Sequence, residues 1–599
     1  MIPRSSVAAF AVCLLAAALP AFARQAASAP GQANASAQAR VIKLSGSYED
    51  NPSPLELGLT TFLGGMQKRR SFPKLLDSIA ALGNDKSVHA VTFDLAAPDL
   101  ELNATQLSEL ARSIGDLRDA GKRTFAWLEN AGNVHYGVAA ACDTIVMADL
   151  ATLDIPSLTM GALYFRDAMD LVGIRATAVR VGKYKGAVEP FTLSEMSEHL
   201  RQHYLEMLRT MNDALVARLA EGRHLDAERM RELQRQRLFR AAEAKAAGLV
   251  DEVTSYGNGR NRIAELLGSE VAWSEPETTN KEREPKNFLE LMRELFGRST
   301  QRQPSGPAVV VLHLDGPIED GEQASPGSIV SGPTVNEIAA LADDANVRGV
   351  VVRVNSPGGS ATASEAIRSA LERLAARKPV VISMGEVAAS GGYWITCIGQ
   401  PIFADAGTIT GSIGVLALKM NFGPLLNRIG VHIEDIALDD AALLNAIDRD
   451  WSDAAEKKIQ DLIDEVYQRF LGLVSSSRHM GIEAVSAIAG GRVWSGAQAK
   501  KLGLVDHLAG LQHAVLAVAA KAGIDSYEVL HRPSQKNVFE MLDLFADQGE
   551  SGRLAVRNAL LLLRKHGFSL GAMLPLLRCG LERRAPTAWL LMPDEIVIR

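Results

Sequence analysis

Three glycine-bearing turns in the second half of the chain each carry a serine. They are Asn355-Ser356-Pro357-Gly358-Gly359-Ser360, Ala388-Ala389-Ser390-Gly391-Gly392-Tyr393 and Thr410-Gly411-Ser412-Ile413-Gly414. Paired glycines let backbones approach closely and leave N–H groups without internal partners, which is how an oxyanion hole is made. A serine at a strand-to-helix turn with glycine after it, as at Ser390, has the form of a nucleophile whose neighbour's N–H faces the attacked carbonyl. One such turn is an ordinary chain reversal, whereas three in one domain point to a site. The first half carries something different, Val181-Gly182-Lys183-Tyr184-Lys185-Gly186-Ala187-Val188-Glu189-Pro190-Phe191. A lysine on a surface loop is a solvated charge, but a desolvated one gives up its proton and can act as a base.

These loops need strands and helices to hold them. Val350-Val351-Val352-Arg353-Val354 leads into a helix expected over 363–377, and 379–384 reads as the next strand. Strand–helix–strand alternation implies a layered α/β domain with crossover connections. The pattern occurs twice. Residues 41–46 match 311–316, and 91–95 match 350–354. Tyr136 matches Tyr393 and Gly173 matches Gly430, both at an offset of 257. Tyr204, Leu208, Met211, Leu215 and Leu219 recur as Ile459, Ile463, Val466, Phe470 and Val474 at an offset of 255. That spacing of three and four is a buried helical stripe. Ordered matches at near-constant spacing over ~200 residues imply duplication of a whole domain.

The two copies are incomplete in complementary ways. Asn133 stands where the second half has Ser390, and Asp99-Leu100 where it has Gly358-Gly359. The second half in turn has Asp440-Ala441-Ala442 at the place of the lysine loop. Neither half holds both a nucleophile and a base. No histidine lies in the three turns, and His135 sits on the half that lacks the serine.

Composition narrows the function classes. Sixty-three Lys+Arg against 70 Asp+Glu leave a net charge of −7 over 599 residues, so there is no global electrostatic case for nucleic acid. A hydrophobic share of 47% and a charged share of 22% exclude wholesale disorder and a polytopic membrane protein. Cys13, Cys142, Cys397 and Cys579 are too few and too scattered for a disulfide framework or a zinc site. No metal or cofactor is expected. At the start, Arg4 precedes an apolar run over 7–19, then Pro20 and Ala21-Phe22-Ala23. This reads as a Sec signal peptide with cleavage after Ala23. The rival reading is a signal anchor, for which 7–23 with its internal Pro20 is marginal against ~30 Å of hydrocarbon.

The expected organisation is a signal segment (1–23), a flexible leader (24–40), a domain carrying the lysine (41–273) and a linker (274–306). A domain carrying the serine (307–525) and a helical tail (526–599) follow. Helical periods are expected at 287–296 in the linker and 558–565 in the tail.

Taken together, the lysine loop, Asn355-Ser356-Pro357-Gly358-Gly359-Ser360 and Ala388-Ala389-Ser390-Gly391-Gly392-Tyr393-Trp394 resemble the bacterial signal peptide peptidase SppA (protease IV) family. The resemblance is to its long, duplicated form and covers roughly residues 41–525. It implies two tandem Clp protease/crotonase-like domains and a Ser/Lys dyad. The family's nucleophile falls on Ser390 and its general base on Lys185, not Lys183. The serine that holds the lysine amine falls on Ser412, and the oxyanion N–H groups fall on Gly391 and Gly359. The resemblance further implies apolar peptides as substrates, above all released signal peptides. It implies action in the periplasm or on the periplasmic face of the inner membrane, and a homo-oligomer, by analogy a tetramer. Two departures stand out. Glu386 replaces what is often a small residue, so the substrate groove is expected to differ, and the N-terminal segment is shorter than the family's anchor, which leaves membrane association open.

Two other functions compete. The fold also hosts acyl-CoA hydratases, isomerases and carboxyltransferases, which hold an enolate between glycine N–H groups and need no serine. An export signal argues against cytosolic CoA substrates. An inactive envelope scaffold is the second competitor, against which the retention of Ser390 and Lys185 argues.

Overall fold

The computed structural model describes residues 37–51, 70–268, 271–274, 304–325, 327–533 and 589–591. The expected signal segment, most of the leader and the helical stretches at 287–296 and 558–565 lie outside these residues. The described residues from Ala37 onward fall into one compact unit. Its first strand begins at Ala37, inside the segment read as leader.

Each half is built on a parallel sheet. In the first, the strands run in the order Glu252–Thr254, Thr144–Ala148, Arg123–Leu128, Val88–Asp94, Ala37–Lys43 and Val271–Ser274. In the second, the order is Val493–Ser495, Ile409–Gly411, Val380–Ala389, Val347–Ser356, Ala308–Asp315 and Glu528–Arg532. Its only antiparallel pair along this path, among the described residues, joins Ile409–Gly411 to Val493–Ser495. Parallel strands are covered on both faces, so their sequences are largely apolar. Val310, Leu312, Val350 and Val352 enter the main core of the second half. Val309, Val311 and Val351 face the other way, onto the helix Leu511–Ala522. The helix expected over 363–377 runs from Ala361 to Ala375, because the Ser360 hydroxyl accepts the Ala363 N–H and caps it two residues earlier.

The duplication extends to individual contacts. The helices Glu198–Arg223 and Asp453–Arg478 each span 26 residues, and each ends on a histidine with φ 53°, His224 and His479. Arg223 pairs with Asp251 at 2.7 Å, and Arg478 with Asp506 at 2.5 Å. The Tyr136 hydroxyl donates to the Leu249 carbonyl at 2.9 Å, and Tyr393 donates to Leu504 at the same distance.

The halves meet in a third sheet and along a buried ionic seam. The sheet runs Ile329–Val330, Ile318–Glu319, Gly358–Ser360, Trp589–Leu591, Val415–Asn421 and Arg175–Val181. Its last strand comes from the first half and lies antiparallel to Val415–Asn421 of the second. In the seam, the buried Arg353 guanidinium donates to Asp50 at 2.7 Å and to Glu109 at 3.1 Å, both in the first half. Arg112 reaches back to both oxygens of Asp405, at 2.8 and 3.0 Å. A buried charge left without its partner is costly, so these pairs favour one docking geometry over others.

Candidate active site

The strand Val380–Ala389 ends directly on Ser390, which opens the short helix Gly391–Trp394. Ser390 has φ 56° and ψ −115°, a conformation that costs a non-glycine residue on the order of 1–3 kcal/mol and persists only where the surroundings impose it. The surroundings here are two hydrogen bonds. The Ser390 N–H donates to Gly411 O at 2.8 Å, and the Trp394 N–H donates to Ser390 O at 2.8 Å. The two glycines that follow are sterically required. A Cβ on Gly392 would stand 2.4 Å from Ser356 O. A Cβ on Gly391 would stand 2.7 Å from Ser364 Oγ and 3.0 Å from Gly359 N. The first and second glycine turns are therefore in contact, and the Gly359 amide lies beside Gly391. The Gly358 N–H is already engaged, donating to Ser356 Oγ at 3.1 Å.

Lys185 arrives from the first half, on the loop that follows Arg175–Val181. Backbone of the second half holds that loop. The Tyr184 N–H donates to Gly490 O at 3.0 Å. Gly491 lies flat against the lysine, since a Cβ there would be 2.4 Å from Lys185 N. The amine then ends 2.6 Å from Ser390 Oγ, 3.0 Å from Ser412 O and 3.0 Å from Ser412 Oγ. Lys185, Ser390 and Ser412 are all 0% exposed. Burial pushes the lysine well below its ordinary pKa. A neutral amine has two N–H groups and one lone pair. The Ser412 carbonyl and hydroxyl can accept the two N–H groups, leaving the lone pair for the Ser390 O–H.

The neighbouring lysine is placed otherwise. Lys183 is exposed, with its amine 5.0 Å from the centre of the Tyr184 ring. In the first half, Asn133 Nδ2 donates to Pro156 O at 3.0 Å and His135 Nε2 donates to Ala97 O at 2.9 Å. The structure thus brings Ser390, Lys185 and Ser412 together and sets Gly391 against Gly359.

Several residues of this environment are not singled out by the sequence. Glu189 is 0% exposed and accepts from Ser197 N at 3.0 Å, Ser197 Oγ at 2.7 Å and Arg180 Nη1 at 3.2 Å. The same Arg180 nitrogen donates to the Lys185 carbonyl at 3.2 Å. The Gly490-Gly491 pair is the one signal in the sequence that could have drawn attention to the wall behind the lysine. The third sheet adds another feature. Trp589–Leu591 lies antiparallel between Gly358–Ser360 and Val415–Asn421, with Leu590 in register with Gly359.

A fully buried serine hydroxyl 2.6 Å from a lysine amine that burial pushes well below its ordinary pKa, on a duplicated α/β frame, points to a serine peptidase. The family model for Peptidase family S49 matches residues 116–270 and 372–525, just over half of the chain in two copies. The chain belongs to this family, in the long duplicated form of the SppA peptidases, with the family's domain matched in each half. Protease 4 of Haemophilus influenzae is 32% identical over 423 residues, 68% of this chain and 66% of that protein. Protease 4 of Salmonella typhi is 29% identical over 531 residues, 84% of this chain and 81% of that protein. The chain thus spans about two thirds of the first relative's length and about four fifths of the second's. A point mutant of the ClpP1 protein from Listeria monocytogenes aligns over 94% of its own chain and 34% of this one, at 14% identity and a TM-score of 0.23, a likeness that carries no weight.

Proposed function

We propose that the chain is an endopeptidase in which Ser390 is the nucleophile and Lys185 the general base, acting on signal peptides and other apolar peptides. The observation that carries this reading is the 2.6 Å contact between Lys185 Nζ and Ser390 Oγ, both fully buried. A general base must lie within about 2.6–3.2 Å of the hydroxyl it activates. A lysine can fill that role only when its amine is neutral, and desolvation favours that form.

In the forward step the amine takes the Ser390 proton as Oγ attacks the substrate carbonyl. The Gly391 and Gly359 N–H groups receive the developing oxyanion. The ammonium then gives its proton to the leaving amine, and an acyl-enzyme remains. Water deprotonated by the regenerated Lys185 amine releases the acyl group. Ser412 orients the amine throughout.

The third sheet supports a peptide substrate. The chain's own residues 589–591 run between Gly358–Ser360 and Val415–Asn421, so the place has the width of one extended strand. A peptide in that place would be held by main-chain hydrogen bonds on two sides, with its specificity set by alternate side chains. Such binding asks little of the substrate sequence and suits varied apolar peptides. The family resemblance supplies the signal-peptide preference and the periplasmic side of the inner membrane as the place of action.

The test is mass spectrometry of fragments from a defined signal peptide, with Ser390→Ala beside the native chain. Internal cleavage by the native chain alone is expected. Equal cleavage by both would remove Ser390 from the mechanism.

A further inference from the structure

One short strand pair occurs in both halves, and in the second half the arginine at its end is turned to a new partner. In the first half, Thr152–Asp154 lies antiparallel to Leu238–Arg240, with Asp154 opposite Leu238. In the second, Ile409–Gly411 lies antiparallel to Val493–Ser495, with Gly411 opposite Val493. The strands are counterparts at the repeat offsets of 257 and 255. The residues just outside each ladder are then matched too, Ile155 with Ser412 and Arg237 with Arg492. Their backbone contact is kept. The Ile155 N–H donates to Arg237 O at 3.0 Å, and the Ser412 N–H donates to Arg492 O at 2.6 Å.

The side chains go different ways. Arg237 is exposed, and its guanidinium donates to both oxygens of Asp154 at 2.8 and 3.0 Å, an ordinary surface ion pair. Gly411 takes the place of Asp154, so Arg492 has lost that carboxylate. Its guanidinium lies instead over the Tyr184 ring, with Cζ 4.1 Å from the ring centre. An aromatic face attracts a cation held there. The same guanidinium donates through Nη1 to Ala487 O at 3.2 Å and to Ala489 O at 3.1 Å. Ala489 leads directly into Gly490-Gly491, the pair that backs the lysine loop, and Tyr184 directly precedes Lys185.

One arginine thus reaches both supports of the amine. Its carbonyl holds Ser412, which has φ 49°, a left-handed conformation that a non-glycine residue keeps only where its surroundings impose it. Its guanidinium holds the ring beside Lys185 and the turn behind it. The Tyr184 ring also meets His199 at 5.6 Å, His203 at 5.2 Å and the Lys183 amine at 5.0 Å, while Arg180 and Glu189 pair beside the Lys185 carbonyl. Of these charged and titratable groups only Arg492 comes from the half that carries the serine. We propose that Arg492 is a positioning residue for the base: by pinning the Tyr184 ring to the second half it keeps Lys185 Nζ at Ser390 Oγ and shut away from water. The proposal rests on Lys185 being the base.

The experiment follows peptide hydrolysis and the labelling of Ser390 by a serine-directed fluorophosphonate across pH, in the full chain, with Lys185→Met alongside. Arg492→Gln and Tyr184→Leu should each lower kcat by ~10–100-fold, as expected from a displaced base, with KM within about twofold. In both, the ionisation that governs the rate should move up toward the ordinary lysine range, because water then reaches an amine that burial had held down. The double variant should be no slower than the slower single one, since either change releases the same ring. Tyr184→Phe keeps the ring face and should stay within about twofold of native. An arginine that only stabilises the fold would lower the melting temperature and leave the ionisation in place. Should Arg492→Gln fail to fold, Tyr184→Leu against Tyr184→Phe decides alone, since only loss of the ring should move the ionisation. A native kcat in Arg492→Gln, an unmoved ionisation in Tyr184→Leu, or a double variant slowed by the product of the two losses would each overturn the proposal while Lys185→Met stays unlabelled. Labelling of Lys185→Met at the native rate would overturn the catalytic reading itself, and the proposal with it.

Discussion

In the second half, Val380–Ala389 runs through Ser390 at φ 56° into Gly391–Trp394. In the first half, the equivalent helix Asn133–Ala139 opens on Asn133, whose side chain is turned onto Pro156 O. The lysine loops differ in the opposite sense. Lys185 is buried against the second half, whereas its counterpart Ala442 lies in a short 3-10 turn, Asp440–Leu443, with no buried residue. Two copies of one frame have thus diverged at two places, and each retains what the other lost. A frame stabilised by its own sheet and helices tolerates such divergence, because the exchanged residues sit on loops. What cannot be lost is the joint that brings the loops together.

The sharpest way to break this comparison is to make the halves alike. Ser390→Ala and Lys185→Met should each lower hydrolysis by at least ~10³-fold, the order expected when a covalent route is removed. Lys183→Met and Asn133→Ala should stay within about twofold in the same peptide assay, as expected where no transition-state contact is lost.

Next comes the turn after the serine. The position equivalent to Gly391 in the first half is Val134. Gly391→Val would drive a side chain toward Ser364 and the Gly359 amide. A fall in kcat of ~10²-fold is expected if that amide holds the oxyanion. An unchanged kcat would move the oxyanion site elsewhere.

These expectations show how much was legible in the sequence. The duplication was readable because strand, helix and turn residues keep their order and spacing, down to Tyr136 with Tyr393 and Gly173 with Gly430. Ser390 was readable because a strand, a serine and two glycines are contiguous. The choice between Lys183 and Lys185 was not in the spacing and came from family resemblance. Burial is what favours Lys185, and the backbone of its loop is held by Gly490 and Gly491, some three hundred residues away. Arg180, near the end of Arg175–Val181, and Glu189 read in the sequence as ordinary charges, because their pairing is made only when the chain folds back between them.

Glu189→Gln tests that covered pair. It keeps the acceptor but removes the charge opposite Arg180, whose guanidinium also holds the Lys185 carbonyl. A drop in kcat of about tenfold with little change in KM is expected from a slightly displaced base. A purely structural role would instead lower the melting temperature and leave kcat per folded enzyme intact.

The smallest effect should come from the tail. Residues 589–591 lie where a substrate strand is proposed to bind. Deleting 588–599 should lower KM by ~2–5-fold, since an occupied site binds substrate only in its open fraction. A KM that does not move would separate that strand from the substrate path.

The central claim is that a lysine of the first half activates a serine of the second. The most direct measurement is the rate of covalent labelling by a serine-directed fluorophosphonate across pH, with the modified residue mapped by mass spectrometry. Native chain should be labelled at Ser390, with a rate that rises as pH passes through a single ionisation below the ordinary lysine range. That sign follows from burial, which lowers the Lys185 pKa, because only the neutral amine can take the proton. Lys185→Met should be labelled at a small fraction of that rate and without the ionisation. Labelling of Lys185→Met at the native rate, with the same pH profile, would contradict the shared site and send the search for a base back into the second half.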